Sequence, residues 1–504
     1  MDGTPVLSDI TWGSGVTGAT LITELNKIND FDIPADATPA AVAKAIGDKN
    51  YTRDSEGAQA IADAINAALK TTTEGQGGTI AADATTGTIT GLPAGYYLVK
   101  DTVDVTGEGS ATRYILEVVK DVNVDEKANV PSVFKKVKEK DDNTGSLTGW
   151  QDGADYDIGD SIPYKLEGTL PGKFAEYDTY KVYTLTDTLS GGLTPPAAAD
   201  VNVTLNTEDG TDLVAANIFE VTVSGQVITV KLKSGVDLRT ADYNGAEEGG
   251  QFVATDKIIV TYNATLNENA VIGSAGNPNT VYLDFTNNPN GEQDGKYGTT
   301  PVDKVIVFTY TIKALKVEPD GNAIDQAAYA NLTDTQKADY VKVGEKWQKT
   351  KALDGAGFTL YKKINGTYEA VGEEITGVNT FEFKGQDAGY YKLVETTVPT
   401  GFNKADDVEI IVAAEYDTDA ADPKLKSLTV TPATVGFTVT TTPVSDDDTA
   451  HITTDGIISG KILNQKGSTL PSTGGIGTTI FYVLGAILVV GAGVVLVTRR
   501  RMSA

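Results

Sequence analysis

The chain of 504 residues contains no cysteine. That absence excludes disulfides, thiolate metal sites, cysteine nucleophiles and thioester bonds. Histidine is nearly absent as well: His451 is the only one, which removes His-rich zinc sites and most Ser/His/Asp arrangements. Positive charge is scarce, with 41 Lys and Arg against 69 Asp and Glu, so the formal net charge is −28. Phosphate backbones and anionic lipid surfaces repel such a chain, which argues against nucleic acid as a partner. A large chain this poor in nucleophile-activating residues is a weak candidate for a hydrolase. A surface hydrolase using paired carboxylates in a cleft finds no supporting motif. Neither cofactor nor metal is expected. The run Asp446-Asp447-Asp448 beside His451 reads as a solvated acidic loop, and no spacing fits a calcium loop or a zinc site.

What is present points to strands. Hydrophobic residues make up 40% of the chain, enough to bury real cores and exclude wholesale disorder. The 53 glycines, with abundant Thr, Val, Tyr and Asp, favour strands and turns. The length leaves room for roughly three or four domains.

The two ends differ. Residues 478–497 read TTIFYVLGAILVVGAGVVLV, uncharged and long enough as a helix to cross a bilayer. Arg499, Arg500 and Arg501 follow, and such a cluster holds its side in the cytoplasm, leaving everything upstream outside. Just before the apolar span stands Leu470-Pro471-Ser472-Thr473-Gly474. At the other end, MDGTPVLSDITWG has no basic or apolar stretch of a signal peptide, so the chain is expected to begin near a mature N-terminus.

Between the ends, the first 125 or so residues mix helix and strand signals. Residues 56–70 place Ile61, Ala62, Ile65 and Leu69 on one helical face. From about 130 to 290 short strands dominate, as in VTVSGQVITVKLK and DKIIVTYNATL. Further strands follow from Val305, and residues 322–342 read as a helical surface insertion. The expected architecture is mainly β: tandem immunoglobulin-like sandwiches, with some helix in the first domain and a C-terminal transmembrane helix. The expected divisions are 1–125, 126–304, 305–469 and a tail of 470–504.

Strand parity exposes a problem. In a strand, residues two apart share a face. Lys135 therefore lies with Val133 and Val137, Lys316 with Ile312 and Ala314, and Glu395 with Tyr391 and Leu393. An isolated buried charge costs too much, so lysines in such places must be paired or neutral. A register shifted by one would instead leave both lysines solvated. An echo of the Glu395 segment, AGYYLVK from Ala94, carries Lys100 where the acid stands, so the role of Glu395 is missing there.

The order of pentapeptide, apolar span and basic tail resembles the cell-wall sorting signal of Gram-positive surface proteins. That resemblance implies cleavage by a sortase between Thr473 and Gly474, with the Thr473 carboxyl passed to an amine. Loss of the tail's three arginines would take the net charge from −28 to −31. Further upstream, YKLVETTVPTGFN and Ile462-Leu463-Asn464-Gln465-Lys466-Gly467 resemble collagen-adhesin B-type domains of sortase-assembled pilins. The segments VPSVFKKVKE, WQDGADYDIGDSIPYKLEGTLP, YTLTDTLSGGLT and NPNTVYLDFTNNPNG are similar to the second domain of pilin shaft subunits. Together the likeness covers about residues 120–504.

That family implies self-made Lys–Asn isopeptide bonds. In an apolar core a lysine loses its proton more easily and becomes a nucleophilic amine. A carboxyl kept protonated by the same surroundings polarises an Asn carboxamide, and attack expels ammonia. By matching motifs, the resemblance assigns Lys135, Asp187 and Asn279 to the middle domain and Lys316, Glu395 and Asn464 to the C-terminal one. Lys136 and Asn277 are the alternatives. Each bond would tie the beginning of a domain to its end, so that pulling force bypasses the fold between. By analogy with disulfide loops, closing about 145 residues is worth roughly 5 kcal/mol. Shaft pilins also carry a polymerising lysine, usually in Tyr-Pro-Lys; here Val122-Asn123-Val124-Asp125-Glu126-Lys127 holds that place and makes Lys127 the candidate. The resemblance implies a structural pilus subunit rather than an enzyme. Its partners would be sortase, neighbouring subunits and peptidoglycan, with a host surface ligand as a further candidate. The alternative is a monomeric wall-anchored adhesin binding host matrix or glycans.

Overall fold

The computed structural model describes residues 10–69 apart from 14, 30, 50 and 52–55, the strands 95–100 and 113–118, and residues 130–467 apart from 246–249, 289–296, 432–435 and 447–448. Lys127, the pentapeptide 470–474 and the apolar segment 478–497 lie outside the described residues. Among the described residues no helix is long and apolar enough to cross a membrane.

The N-terminal part packs three helices, Gly18–Leu25, Pro39–Gly47 and Glu56–Ala67. Pro39 at the first turn presets the backbone, and the Thr38 hydroxyl accepts the Ala41 N–H at 3.3 Å. Leu21, Ile22, Leu25, Phe31, Val42 and Ile61 close a small core. The strands Gly95–Lys100 and Arg113–Val118 pair antiparallel, Lys100 opposite Arg113.

The middle part is two facing sheets. One runs in the order Asn202–Leu205, Lys257–Leu266, Ser161–Thr169, Val133–Val137. The other runs Phe219–Ser224, Val227–Leu232, Tyr183–Leu189, Asn277–Phe285, Asp303–Phe308, Gly153–Asp155. Alternation sets the core. In Ser161–Thr169 every second residue is buried, and in Asn277–Phe285 it is Asn277, Asn279, Val281, Leu283 and Phe285. The second sheet continues past the Asn279 strand to Asp303–Phe308, so Asn279 does not sit on the last strand of this part.

The C-terminal part repeats the two-sheet plan. Tyr310–Pro319 pairs in parallel with Ile457–Leu463 and antiparallel with Thr380–Gln386, while Gly357–Ile364, Gly389–Thr397, Val408–Tyr416 and Leu425–Thr431 form the facing sheet. Of the expected helical insertion, Gln326–Ala330 and Asp334–Lys337 are helical, the latter opened by a Thr333/Gln336 capping box. Its end is not: Tyr340–Val343 pairs with Lys346–Ala352, as its β-branched valines favour.

One strand serves both parts. In Asp303–Phe308, Val305 and Val307 enter the middle core, whereas Ile306 and Phe308 enter the C-terminal core. Only Thr309 separates it from Tyr310–Pro319. Across this junction the Ile158 N–H donates to the Gly385 carbonyl at 2.9 Å. Gly385 holds a φ of +70°, and a Cβ there would lie 2.4 Å from Ile158, so glycine is required twice over.

Candidate functional site

Two clusters of buried lysine, acid and asparagine stand out. In the C-terminal part, Lys316 lies on Tyr310–Pro319 opposite Ile462, and the neighbouring Val317 carbonyl accepts the Asn464 N–H at 2.9 Å. The parallel pairing thus sets the two side chains beside each other. Lys316 Nζ is 2.5 Å from Asn464 Oδ1 and 3.0 Å from Glu395 Oε1. Glu395 reaches in from the facing sheet. Its Oε1 also accepts from Asn464 Nδ2 at 2.8 Å, and its Oε2 from the Ala405 N–H at 2.6 Å. All three side chains are at most 1% exposed. Burial draws the Lys316 amine below the usual lysine range against the pull of Glu395, which favours the neutral, nucleophilic form.

In the middle part the two sheets meet face to face. Lys135 projects from one sheet, while Asp187 and Asn279 stand on adjacent strands of the other, with Val281 opposite Asp187 and Asn279 opposite Leu189. Lys135 Nζ donates to Asp187 Oδ1 at 2.7 Å. Burial again lowers the Lys135 amine, opposed by Asp187. A residue that strand parity left unassigned completes the group. The Tyr262 hydroxyl donates to Asp187 Oδ2 at 2.6 Å and accepts from Lys135 Nζ at 3.1 Å and Asn279 Nδ2 at 2.8 Å. The Asn279 Oδ1 atom is buried without a hydrogen-bond partner.

The alternatives take other roles. Lys136 points to the opposite face and pairs with Asp152 at 2.6 Å. Asn277 is fully engaged with backbone: Oδ1 accepts from the Val271 N–H, and Nδ2 donates to the Val271 and Val307 carbonyls. It staples a loop and does not meet a lysine.

A third buried lysine lies between the two parts. Lys362 contacts Asp142, Asp157 and Asp387, each at 2.6 Å. Burial alone would lower its ammonium, but the three carboxylates outweigh this and hold it above the usual range. It is an ammonium, not a nucleophile. Around it, Asp155 Oδ2 accepts the Ala388 N–H and Asp157 Oδ1 the Asp387 N–H, both at 2.9 Å, so the cluster clasps the two parts together. The signal was available, because Lys362 shares a strand face with Phe358 and Leu360. Trp150 forms no such site. It lies at the surface, with Lys138 and Lys165 over its ring and its Nε1–H on Glu208 at 2.8 Å.

Comparison with known proteins finds three family matches along the chain. Residues 158–289 match the family described as Gram-positive pilin backbone subunit 2, Cna-B-like domain. Residues 338–424 match a prealbumin-like fold domain, and residues 462–503 the LPXTG cell wall anchor motif. The trypsin-resistant surface T6 protein of Streptococcus pyogenes serotype M6 is 25% identical over 416 residues, 74% of this chain and 70% of that protein. The platelet adherence protein A of Streptococcus gordonii is 28% identical over 207 residues, 38% of this chain and only 4% of that protein. Among solved structures, the T6 backbone pilin of Streptococcus pyogenes aligns at 18% identity, with TM-score 0.46, over 83% of this chain and 90% of that one. The full-length major pilin SpaD of Corynebacterium diphtheriae gives 18% identity and TM-score 0.37 over 75% of this chain and 77% of that one.

The matched segments define a surface protein of tandem β domains with an LPXTG wall anchor. Within that class the chain carries a Gram-positive pilin backbone domain beside its cell wall anchor motif, and it is similar to the T6 surface protein over most of its length. An anchor of this kind makes sortase and the peptidoglycan its partners in general.

Proposed function

We propose that both described β domains of this pilin close themselves with Lys–Asn isopeptide bonds. Lys135 joins Asn279 with Asp187 as the promoting acid, and Lys316 joins Asn464 with Glu395. Sortase then links Thr473 of one subunit to Lys127 of the next, after the apolar segment 478–497 has held the chain in the membrane.

The observation that carries this reading is the double occurrence of a buried lysine hydrogen-bonded to an acid with a carboxamide in the same cluster. An ion pair alone would explain lysine and acid; it leaves the asparagine without a reason. In the C-terminal cluster a proton passes from Lys316 to Glu395, and the freed amine attacks Asn464 Cγ. Glu395 returns a proton to Nδ2, which leaves as ammonia. One acid touches both nitrogens, so a single group serves both transfers. Burial of all three side chains strengthens each interaction. The name of the trypsin-resistant relative fits a fold tied shut in this way.

The test is mass. The full chain should weigh two ammonia molecules less than its sequence, and tryptic digests should contain the peptides of Lys135 and Asn279, and of Lys316 and Asn464, joined. Full sequence mass would refute the reading. For assembly, wall extracts should show an SDS-resistant ladder that collapses in Lys127→Ala; one discrete band in the wild type would favour a monomeric adhesin.

A further inference from the structure

The two clusters differ in how the acid reaches the asparagine. Glu395 contacts the Asn464 amide nitrogen directly. Asp187 is one methylene shorter, and the group hydrogen-bonded to the Asn279 amide nitrogen is the Tyr262 hydroxyl. We propose that Tyr262 is a catalytic residue of the middle domain, relaying a proton between Asp187 and the departing nitrogen of Asn279. This rests on the isopeptide reading above.

The geometry supplies every link. The Tyr262 oxygen touches the nucleophile Nζ at 3.1 Å, the acid at 2.6 Å and the leaving nitrogen at 2.8 Å. Its ring is fixed by stacking on Tyr164, with centroids 5.4 Å apart and planes 21° apart. Burial first, and the Asp187 charge next, hold the phenol above its ordinary range, so it keeps its proton until it receives another. The phenol therefore passes protons in concert and forms no free phenolate.

The protons balance. The Lys135 ammonium carries three. The first moves to Asp187 Oδ1 and leaves an amine, whose nitrogen bonds to Asn279 Cγ while the carbonyl electrons shift to Oδ1. As the Oδ1 electrons return to the carbonyl and the Cγ–Nδ2 bond breaks, the Tyr262 hydroxyl turns from Asp187 to Nδ2 and gives it a proton, while Asp187 gives its own to the Tyr262 oxygen, and Nδ2 departs as ammonia. The second Nζ proton then reprotonates Asp187, and the third remains on the new amide. Lysine ammonium, carboxylate and carboxamide thus become amide, carboxylic acid and ammonia, with Tyr262 unchanged.

The experiment follows bond closure in the full chain made by cell-free synthesis and quenched at intervals, with each crosslink read from its joined tryptic peptides. In Tyr262→Phe the Lys135–Asn279 bond should form at least tenfold more slowly, while Lys316–Asn464 closes at the wild-type rate. Tyr180→Phe, which removes a buried hydroxyl of the same core that touches none of the cluster, should close both bonds normally. Replacing Tyr262 with 3-fluorotyrosine keeps the packing and makes the phenol more acidic. It should change the closure rate of the middle bond alone, which decides the matter if the phenylalanine variant folds poorly. Wild-type closure in Tyr262→Phe, or an unchanged rate with 3-fluorotyrosine, would overturn the relay while leaving the bond intact. A wild type with no Lys135–Asn279 crosslink would overturn the isopeptide reading and the relay with it.

Discussion

Replacing Glu395 with alanine separates chemistry from packing at the C-terminal cluster. The acid contacts both Lys316 and Asn464, and no other carboxylate among the described residues pairs with Lys316. Without it the amine stays neutral by burial, but nothing polarises the carboxamide or protonates its departing nitrogen, so the crosslink should not form and the chain should regain the mass of one ammonia. The ordering lost with a loop of 148 residues is worth roughly 5 kcal/mol on the disulfide analogy. Removing one partner of a buried pair costs a further ~3–5 kcal/mol, because Lys316 is then left uncompensated. At about 3 °C per kcal/mol for a domain of this size, the bond alone accounts for a fall of about 15 °C in Tm. Asn464→Ala is the comparison: it also lacks the bond but keeps the ion pair, so it should melt above Glu395→Ala. Intact mass and calorimetry on the full chain read both quantities. An ammonia deficit that survives in Glu395→Ala would refute the catalytic role, whatever its melting temperature.

Other outcomes follow from the same geometry. Asn279→Ala should abolish the middle crosslink, whereas Asn277→Ala should keep it and lose about 1–3 kcal/mol of stability with the loop staple; peptide mapping and melting curves check the pair. In Asn279→Ala the unreacted Lys135 has an amine held low by burial, so the native state binds fewer protons than the unfolded chain up to pH 10.5. Its stability should therefore rise with pH toward that value, and urea titrations at several pH values should lose this slope when Lys135→Met is added. At the junction, burial raises the Asp155 carboxyl to about 6 despite the Ala388 N–H and Lys362. A raised acid binds more protons in the native state, so its stability is lost as pH climbs from about 4 through 6. Asp155→Asn should stabilise the chain at pH 8 by about 1–3 kcal/mol and leave pH 4 unchanged, as melting at both pH values would reveal. Mass spectrometry of wall-released polymer should find Thr473 joined to the Lys127 side chain; a link through Lys120 or Lys136 would move the assignment.

Strand alternation made much of the chemistry legible. Lys135, Lys316 and Glu395 stand out because a charge at an apolar parity position has no ordinary explanation, and each of those faces is buried as alternation requires. The resemblance to pilin domains supplied Asp187, Asn279 and Asn464, which parity alone would not single out. Tyr262 escaped notice because tyrosine on a buried face looks like ordinary core. Its hydroxyl needs a partner, and only the packing of two sheets reveals which. Lys362 obeys the same parity rule as the others, yet its three carboxylates come from segments more than 200 residues away or from across a strand turn, beyond any local pattern. The single-residue passage at Thr309 was hidden for a related reason: a strand whose alternate residues serve two cores reads simply as continuously apolar.

The parallel pairing of Tyr310–Pro319 with Ile457–Leu463 also sets an order in time. A chain delivered N-terminus first presents Lys316 and Glu395 long before Asn464 arrives. Until then Tyr310–Pro319 lacks its parallel neighbour, Lys316 has an acid but no electrophile, and the domain cannot be completed. In the middle domain the wait ends earlier along the chain, since Asn279 precedes even the first strand of its successor. Completion of the C-terminal domain is therefore the last folding event before the sorting pentapeptide at 470–474, six residues beyond Asn464, is presented. A chain that stops short of its final strand fails at the same moment to lock its last domain and to carry the motif that admits it to the wall.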